Sequence, residues 1–270
     1  MPSSRPPQRN RLSSAQARRA LYIDFEGRKN ALPVLLGCAR KASDEPAPRT
    51  WHIIVSALFA PLAKSDGLDL MSLPAAVEQV VLRAESKDRR IVAWSEHELD
   101  VVSAHCSAAL TARFEACFVN ARALADHWAN ACYPGRRPAE SKLSDFLAFI
   151  GYPAPDEARP GRVGETLGIL EAALARELAK GPGKGRGIEG LTENQRQRWR
   201  QLRVHNAHDC AGMRQVCLRA ARELEARAAA AAAASARTSA KKSNRTSSRA
   251  STGSATPVRK TASTTGRPTK

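Results

Sequence analysis

The chain has 270 residues, 43 Lys+Arg against 26 Asp+Glu, and a formal net charge of +17. Residues 1–19 carry five Arg and no acid, and residues 227–270 carry ten Lys/Arg and no acid, which leaves residues 20–226 at a net of +2. A uniformly basic, histone-like molecule is thereby excluded, and 43% hydrophobic residues exclude a wholly disordered one. The expected organisation is a disordered basic arm at 1–19, one globular domain at 20–226, and a disordered basic tail rich in Ala, Ser, Thr, Lys and Arg at 227–270.

The first ordered element is expected at 20–27, ALYIDFEG. There Leu21, Ile23 and Phe25 alternate with Tyr22, Asp24 and Glu26, which is strand periodicity. Strands at 32–38 and 51–58 follow, and three in succession predict an antiparallel meander. A helix over 73–86 has Ala76, Val77, Val80, Val81 and Ala84 at helical spacing. A buried strand at 90–94 and a helix from 96 to about 110 come next, then a short strand at 118–119 and a helix at 121–128. Strand–helix alternation here predicts parallel crossovers added to the meander, giving an α/β mixed sheet flanked by helices. Helices are predicted at 141–150, 163–179 and from 192 to about 226, the last opened by a Thr192/Gln195 capping box. The alanine run 228–234 lets that helix fray onward.

The six cysteines form no CxxC pair, so buried reduced thiols in a cytoplasmic protein are expected rather than a disulfide framework or a zinc knuckle. The longest apolar run, 53–63, is broken by Ser56 and Pro61 and is far short of the roughly 20 residues that span a bilayer, so no membrane partner is expected.

Three places hold acids that solvation alone does not explain. In Asp24-Phe25-Glu26 the two carboxylates share one face of a strand, roughly 6–7 Å apart. Like charges held so repel unless something positive stands between them, and a divalent cation with oxygen ligands, Mg²⁺ or Mn²⁺, meets that need. In 94–100, WSEHELD, Leu99, Val101 and Val102 place Glu98 beside the apolar face at the end of the strand, with Asp100 as the alternative acid. Acids in a helix's first turn also favour the macrodipole, so any one of them has a structural explanation. In 204–210, VHNAHDC, His205 and Asp209 are four apart, about 40° offset around a helix, and can converge on one point. A surface hydrogen bond is the competing explanation for that pair.

The order of these pieces resembles the DEDD exonuclease superfamily of ribonuclease H-like fold. YIDFEG at 22–27 is similar to its first motif, AWSEHE at 93–98 to its second and HNAHDC at 205–210 to its third. FVNARALADHW at 118–128 and SKLSDFLAFIG at 141–151 look like the segment between the second and third motifs. The resemblance spans roughly residues 20–220. It implies a ribonuclease H-like mixed sheet and a metal-dependent nuclease. Asp24, Glu26, Glu98 and Asp209 would bind two Mg²⁺ or Mn²⁺ ions, and His205 would orient the attacking water. The chain departs from the family pattern twice. Glu98 stands where the family has Asp, and His205 has the three-residue spacing to Asp209 that the family pairs with Tyr.

The tail sets Lys241, Lys242, Arg245, Arg249, Arg259 and Lys260 among small polar residues without aromatics, which suits phosphate neutralisation on DNA or RNA without base stacking. Trp51, Trp94, Trp128 and Trp199 are expected mostly in the core. The loop 181–188, GPGKGRGI, reads as a linker, since it lacks the spacing of a phosphate-binding loop. Three readings therefore stand side by side. They are a 3′–5′ exonuclease-like nuclease, a catalytically silent ribonuclease H-like binding module, and a nucleoid-associated protein that acts through its tail.

Overall fold

The structure, a computed structural model, describes residues 11–29, 31–41, 48–156, 162–181 and 187–250, with 238–250 described as backbone. A six-stranded mixed sheet forms its centre. Strand β1 (Leu21–Gly27) pairs antiparallel with β2 (Pro33–Arg40), which pairs antiparallel with β3 (Arg49–Ile54). Strand β4 (Asp69–Leu70) lies parallel to β3 at one edge. On the other side of β1, β5 (Ile91–Ala93) and β6 (Phe118–Asn120) continue the sheet in parallel. The order is β4-β3-β2-β1-β5-β6, so the expected meander and parallel crossovers are both present.

Helices cover both faces, and the pleat of β1 assigns its residues to each. Leu21, Ile23 and Phe25 pack with Leu36, Cys38 and Ile53 against α3 (Leu73–Glu85), α4 (His97–His105) and α5 (Ala108–Cys117). Tyr22 faces the opposite way, with Ala39, Val92 and Val119. It packs on α6 (Ala121–Cys132), α7 (Leu143–Ile150) and the inner face of α9 (Glu193–Ala250), including Cys210, Met213 and Cys217. A third cluster joins Val34, Leu35 and Ile54 to α2 (Ala60–Asp66), α8 (Val163–Leu178) and Trp199 and Leu202 of α9. Because Asp24 and Glu26 share the parity of Tyr22, they point to the α9 side.

Several boundaries differ from expectation for identifiable reasons. The third strand stops at Ile54, because a 3-10 turn at Ala57–Phe59 leads straight into α2, which carries Pro in its first turn. The helix expected over 96–110 is two helices: Cys106 caps the end of α4 in an extended conformation, and the Ser107 hydroxyl accepts from Leu110 N to start α5. The N-terminal arm is not disordered throughout. Residues 14–19 form α1 (Ser14–Arg19), started by a Ser13/Gln16 capping box, with Leu12 and Ala17 in the core. The tail is not disordered from residue 227 either. The chain divides into two units, Met1–Glu225 and Ala226–Lys270, and in the second the described residues are helical to Ala250. An alanine run is the best helix-forming composition there is.

Arg259 and Lys260 lie outside the described residues, as do the side chains of Lys241, Lys242, Arg245 and Arg249 and the loop residues 182–186. None of the six cysteines is in a disulfide. Trp128 and Trp199 are buried as expected, while Trp51 and Trp94 are half-buried. Among the described residues no helix is long and apolar enough to cross a membrane.

Candidate active site

Four carboxylates gather where the C-terminal half of β1 meets α9. Asp24 and Glu26 stand on the α9 face of β1. Glu26 is buried, and Asp24 keeps partial exposure. Glu98 enters from the first turn of α4, just beyond β5, which runs parallel to β1 and ends at the same side of the sheet. It is only 4% exposed, whereas Asp100, two residues on, is exposed to solvent. Burial thus selects Glu98 over Asp100 as the acid of this segment. The Ser95 hydroxyl donates to Glu98 Oε2 at 3.4 Å, and the neighbouring Glu96 turns to Asn120, whose amide donates to it at 2.9 Å.

Asp209 comes from α9 and sits between two histidines. His205 Nε2 is 3.5 Å from Asp209 Oδ2, and His208 Nδ1 is 3.5 Å from Asp209 Oδ1. The i, i+4 convergence expected for His205 and Asp209 is present. His208 also lies against the Tyr152 ring, centroids 5.2 Å apart, with Nε2 3.2 Å from the Pro153 carbonyl. The Asp209 contact, reinforced by the carbonyl, raises the His208 pKa despite its partial burial.

The electrostatics show that the acids act on one another. Burial pushes the Asp24 carboxyl well above the usual range, and the charges of Glu26, Asp209 and Glu98 push it further. Glu26 is pushed up to about 8, by burial first and by Asp209 next. Burial likewise raises Glu98. Asp24, Glu26 and Glu98 therefore resist ionisation so long as the cluster lacks compensating positive charge.

The compensation present is an amide, which the sequence reading did not single out. Asn206 is fully buried, and its Nδ2 donates to Asp24 Oδ2 at 2.8 Å and to the Asp24 carbonyl at 3.2 Å, with Glu26 Oε1 at 3.5 Å. Its Oδ1 is buried and finds no hydrogen-bond partner among the described residues. Room for this amide comes from Gly37, paired with Asp24 across β1 and β2. The signal was in the sequence: a glycine inside an apolar strand marks the close approach of another group.

The donor set consists of hard anionic oxygens, three of which raise the pKa of the fourth, Asp24, which is the chemistry that suits Mg²⁺ or Mn²⁺. As the side chains stand, however, no three His, Cys, Asp or Glu among the described residues are grouped closely enough to hold a metal ion. The Asn206 amide occupies the space between Asp24 and Glu26. Comparison of the chain with protein-family models, with curated proteins and with solved structures finds no match in any of the three.

Proposed function

We propose that this protein is a metal-dependent nuclease of ribonuclease H-like fold, hydrolysing phosphodiester bonds of DNA or RNA in the manner of a DEDD-type 3′–5′ exonuclease. The observation that carries the reading is the meeting of Asp24, Glu26, Glu98 and Asp209 from three elements far apart in the chain, close enough that three of them raise the pKa of the fourth. Structural acids are dispersed or paired with bases; four clustered acids, Glu26 and Glu98 buried and Asp24 and Asp209 partly so, without a lysine or arginine ion pair among the described residues, fit a function better than they fit stability. The strand order, three antiparallel strands with two parallel strands added beside β1, supports the fold half of the proposal. The basic composition of 227–270 supports a polyanionic partner by an independent route.

The donor chemistry suits Mg²⁺ or Mn²⁺, and Asp24, Glu26, Glu98 and Asp209 are the residues that would hold them. Bound there, such cations would lower the pKa of the attacking water and stabilise the leaving oxygen. The rest falls to the chain's own groups. His205 is placed to take the water's proton, with Asp209 orienting its ring. Asn206 fixes the Asp24 carboxylate.

The spacing of the carboxylates favours a second reading, because no three of them now close on an ion. In that reading the domain is a silent module that binds nucleic acid without cutting it. Labelled single-stranded DNA and RNA distinguish the two. Hydrolysis that requires Mg²⁺ or Mn²⁺, stops with chelator and is lost in Asp24→Asn and Asp209→Asn is the expected result. Intact substrate with salt-sensitive binding would establish the second reading instead.

A further inference from the structure

At the other end of the sheet, on the opposite face, lies a cavity of about 420 Å³ that the carboxylate site does not use. Leu21, at the start of β1, belongs to its wall. Asp24 and Glu26 lie further along that strand and point to the α9 side. Around the cavity stand Arg40, Arg49, Trp51, Arg83, Lys87 and Arg89, with Asp69 as the one acid among the described residues of its wall.

These bases gather on one cavity with little negative charge among the described residues facing them. Arg40 and Arg49 are direct partners across β2 and β3, and like charges so placed repel. Among the described residues no ion pair links Arg40, Arg49, Arg83, Lys87 or Arg89 to a carboxylate. Arg89 is half-buried; burial first, and then the charges of Arg40 and Arg19, lower its pKa. It is carried on the turn after α3 by Asp88, whose φ of 45° is a conformation that L residues rarely adopt. Trp51 is the aromatic residue of the wall, and the Arg83 guanidinium lies over one face of its ring, 5.2 Å from the centroid.

We propose that this cavity binds a nucleoside phosphate, the arginines and Lys87 holding the phosphates and Trp51 lying against the base. The volume is within the range of about 300–1,000 Å³ typical of small-ligand sites. Guanidinium groups match phosphate oxygens geometrically, and every base offers a π-face to an indole. The ligand's source is either a free nucleotide or one unit of a nucleic-acid strand. The assignment stands apart from the nuclease reading, since it shares no residue with the carboxylate cluster.

The test uses the full chain and tryptophan fluorescence, with ADP as probe, in low salt. Saturable quenching is expected, reduced in Trp51→Phe. Binding should weaken about tenfold or more in the double variant Arg49→Glu/Lys87→Glu, as loss of two charge-assisted phosphate contacts implies. Both of these residues are exposed, so the variant should keep the wild-type melting temperature. Asp24→Asn should bind ADP as the wild type does, whatever its effect on hydrolysis. Displacement of ADP by a ten-nucleotide oligo(dT) would make a strand the source, and failure to displace it would make a free nucleotide the source. ADP that does not bind, that binds the double variant undiminished, or that inorganic phosphate displaces at equal concentration overturns the proposal.

Discussion

A β-carbon built on Gly37 would lie 1.5 Å from the Asn206 amide oxygen, so the centre of β2 has to be glycine for α9 to deliver its amide to Asp24. Gly37→Ala should therefore destabilise the fold by about 1–3 kcal/mol, the usual cost of overpacking a core. Much of that cost arises because the amide would leave Asp24 to make room. Adding Asn206→Ala removes the clash, so the double variant should be more stable than the two single losses predict when summed. Urea titration of the four proteins measures this. Strict additivity would mean that Gly37 and Asn206 do not share the site as described.

The raised carboxyls predict an unusual dependence of stability on pH. Glu26 titrates at about 8 in the folded protein, far above its ordinary 4.5, and Asp24 is raised as well. Between those values the folded chain holds protons that the unfolded chain has released, so stability falls as pH rises from about 4.5 to 8. The raised pKa of His208 acts in the same direction: its contribution is complete below about 6.5 and lost above that. Without divalent cations, the melting temperature should be lower at pH 8 than at pH 5.5. Glu26→Gln should flatten the profile and raise the pH 8 value by a few degrees, since about 1 kcal/mol corresponds to about 2–4 °C at this size. Millimolar Mg²⁺ or Mn²⁺ should recover part of the loss in the wild type and little in Glu26→Gln. A melting temperature that rises towards pH 8 would remove the basis for a coupled acid cluster.

Much of this was legible in the residues. Alternation in 21–26 assigns Asp24 and Glu26 to one face, and the helical offset of His205 and Asp209 brings them together, because both patterns are local and periodic. Choosing Glu98 over Asp100 rested on the apolar residues around it, and its burial agrees. What escaped was non-local or compositionally disguised. The role of Asn206 depends on Asp24, 182 residues away in sequence, and on a gap at Gly37. Helix α1 is six residues within an arginine- and proline-rich arm, and only Leu12 and Ala17 mark its buried side. The break at Cys106 depends on a serine cap, a signal that the apolar pattern on either side obscured.

His205 offers a sharper test of chemistry than the carboxylates, since their loss abolishes ion binding and catalysis together. With Asp209 orienting its ring, His205→Ala should lower kcat by about 10²–10⁴, the usual contribution of a general base, while leaving KM for an oligonucleotide near the wild-type value. His208 points its second nitrogen at the Pro153 carbonyl, so His208→Ala should lower kcat far less. If the two variants behave alike, His205 is not the proton acceptor.

The last prediction concerns where the folded domain begins. Residues 11–19 would be dispensable in a disordered arm, but here they are held at several points. The Tyr22 hydroxyl donates to the Ala17 carbonyl at 2.8 Å, Ser14 N donates to Glu225 Oε1 at 2.8 Å, and the Ser14 hydroxyl bonds the other oxygen of the same carboxylate. Leu12 is 5% exposed and packs in the cluster that includes Trp128 and Phe146. Leu12→Ala should therefore cost about 2–4 kcal/mol, as loss of a buried leucine does. A chain starting at residue 20 should melt at least as far below the full chain, because the buried Tyr22 hydroxyl would lose its acceptor. Thermal unfolding of the two proteins at one pH decides the matter: melting temperatures equal to wild type would return 11–19 to the status of an arm.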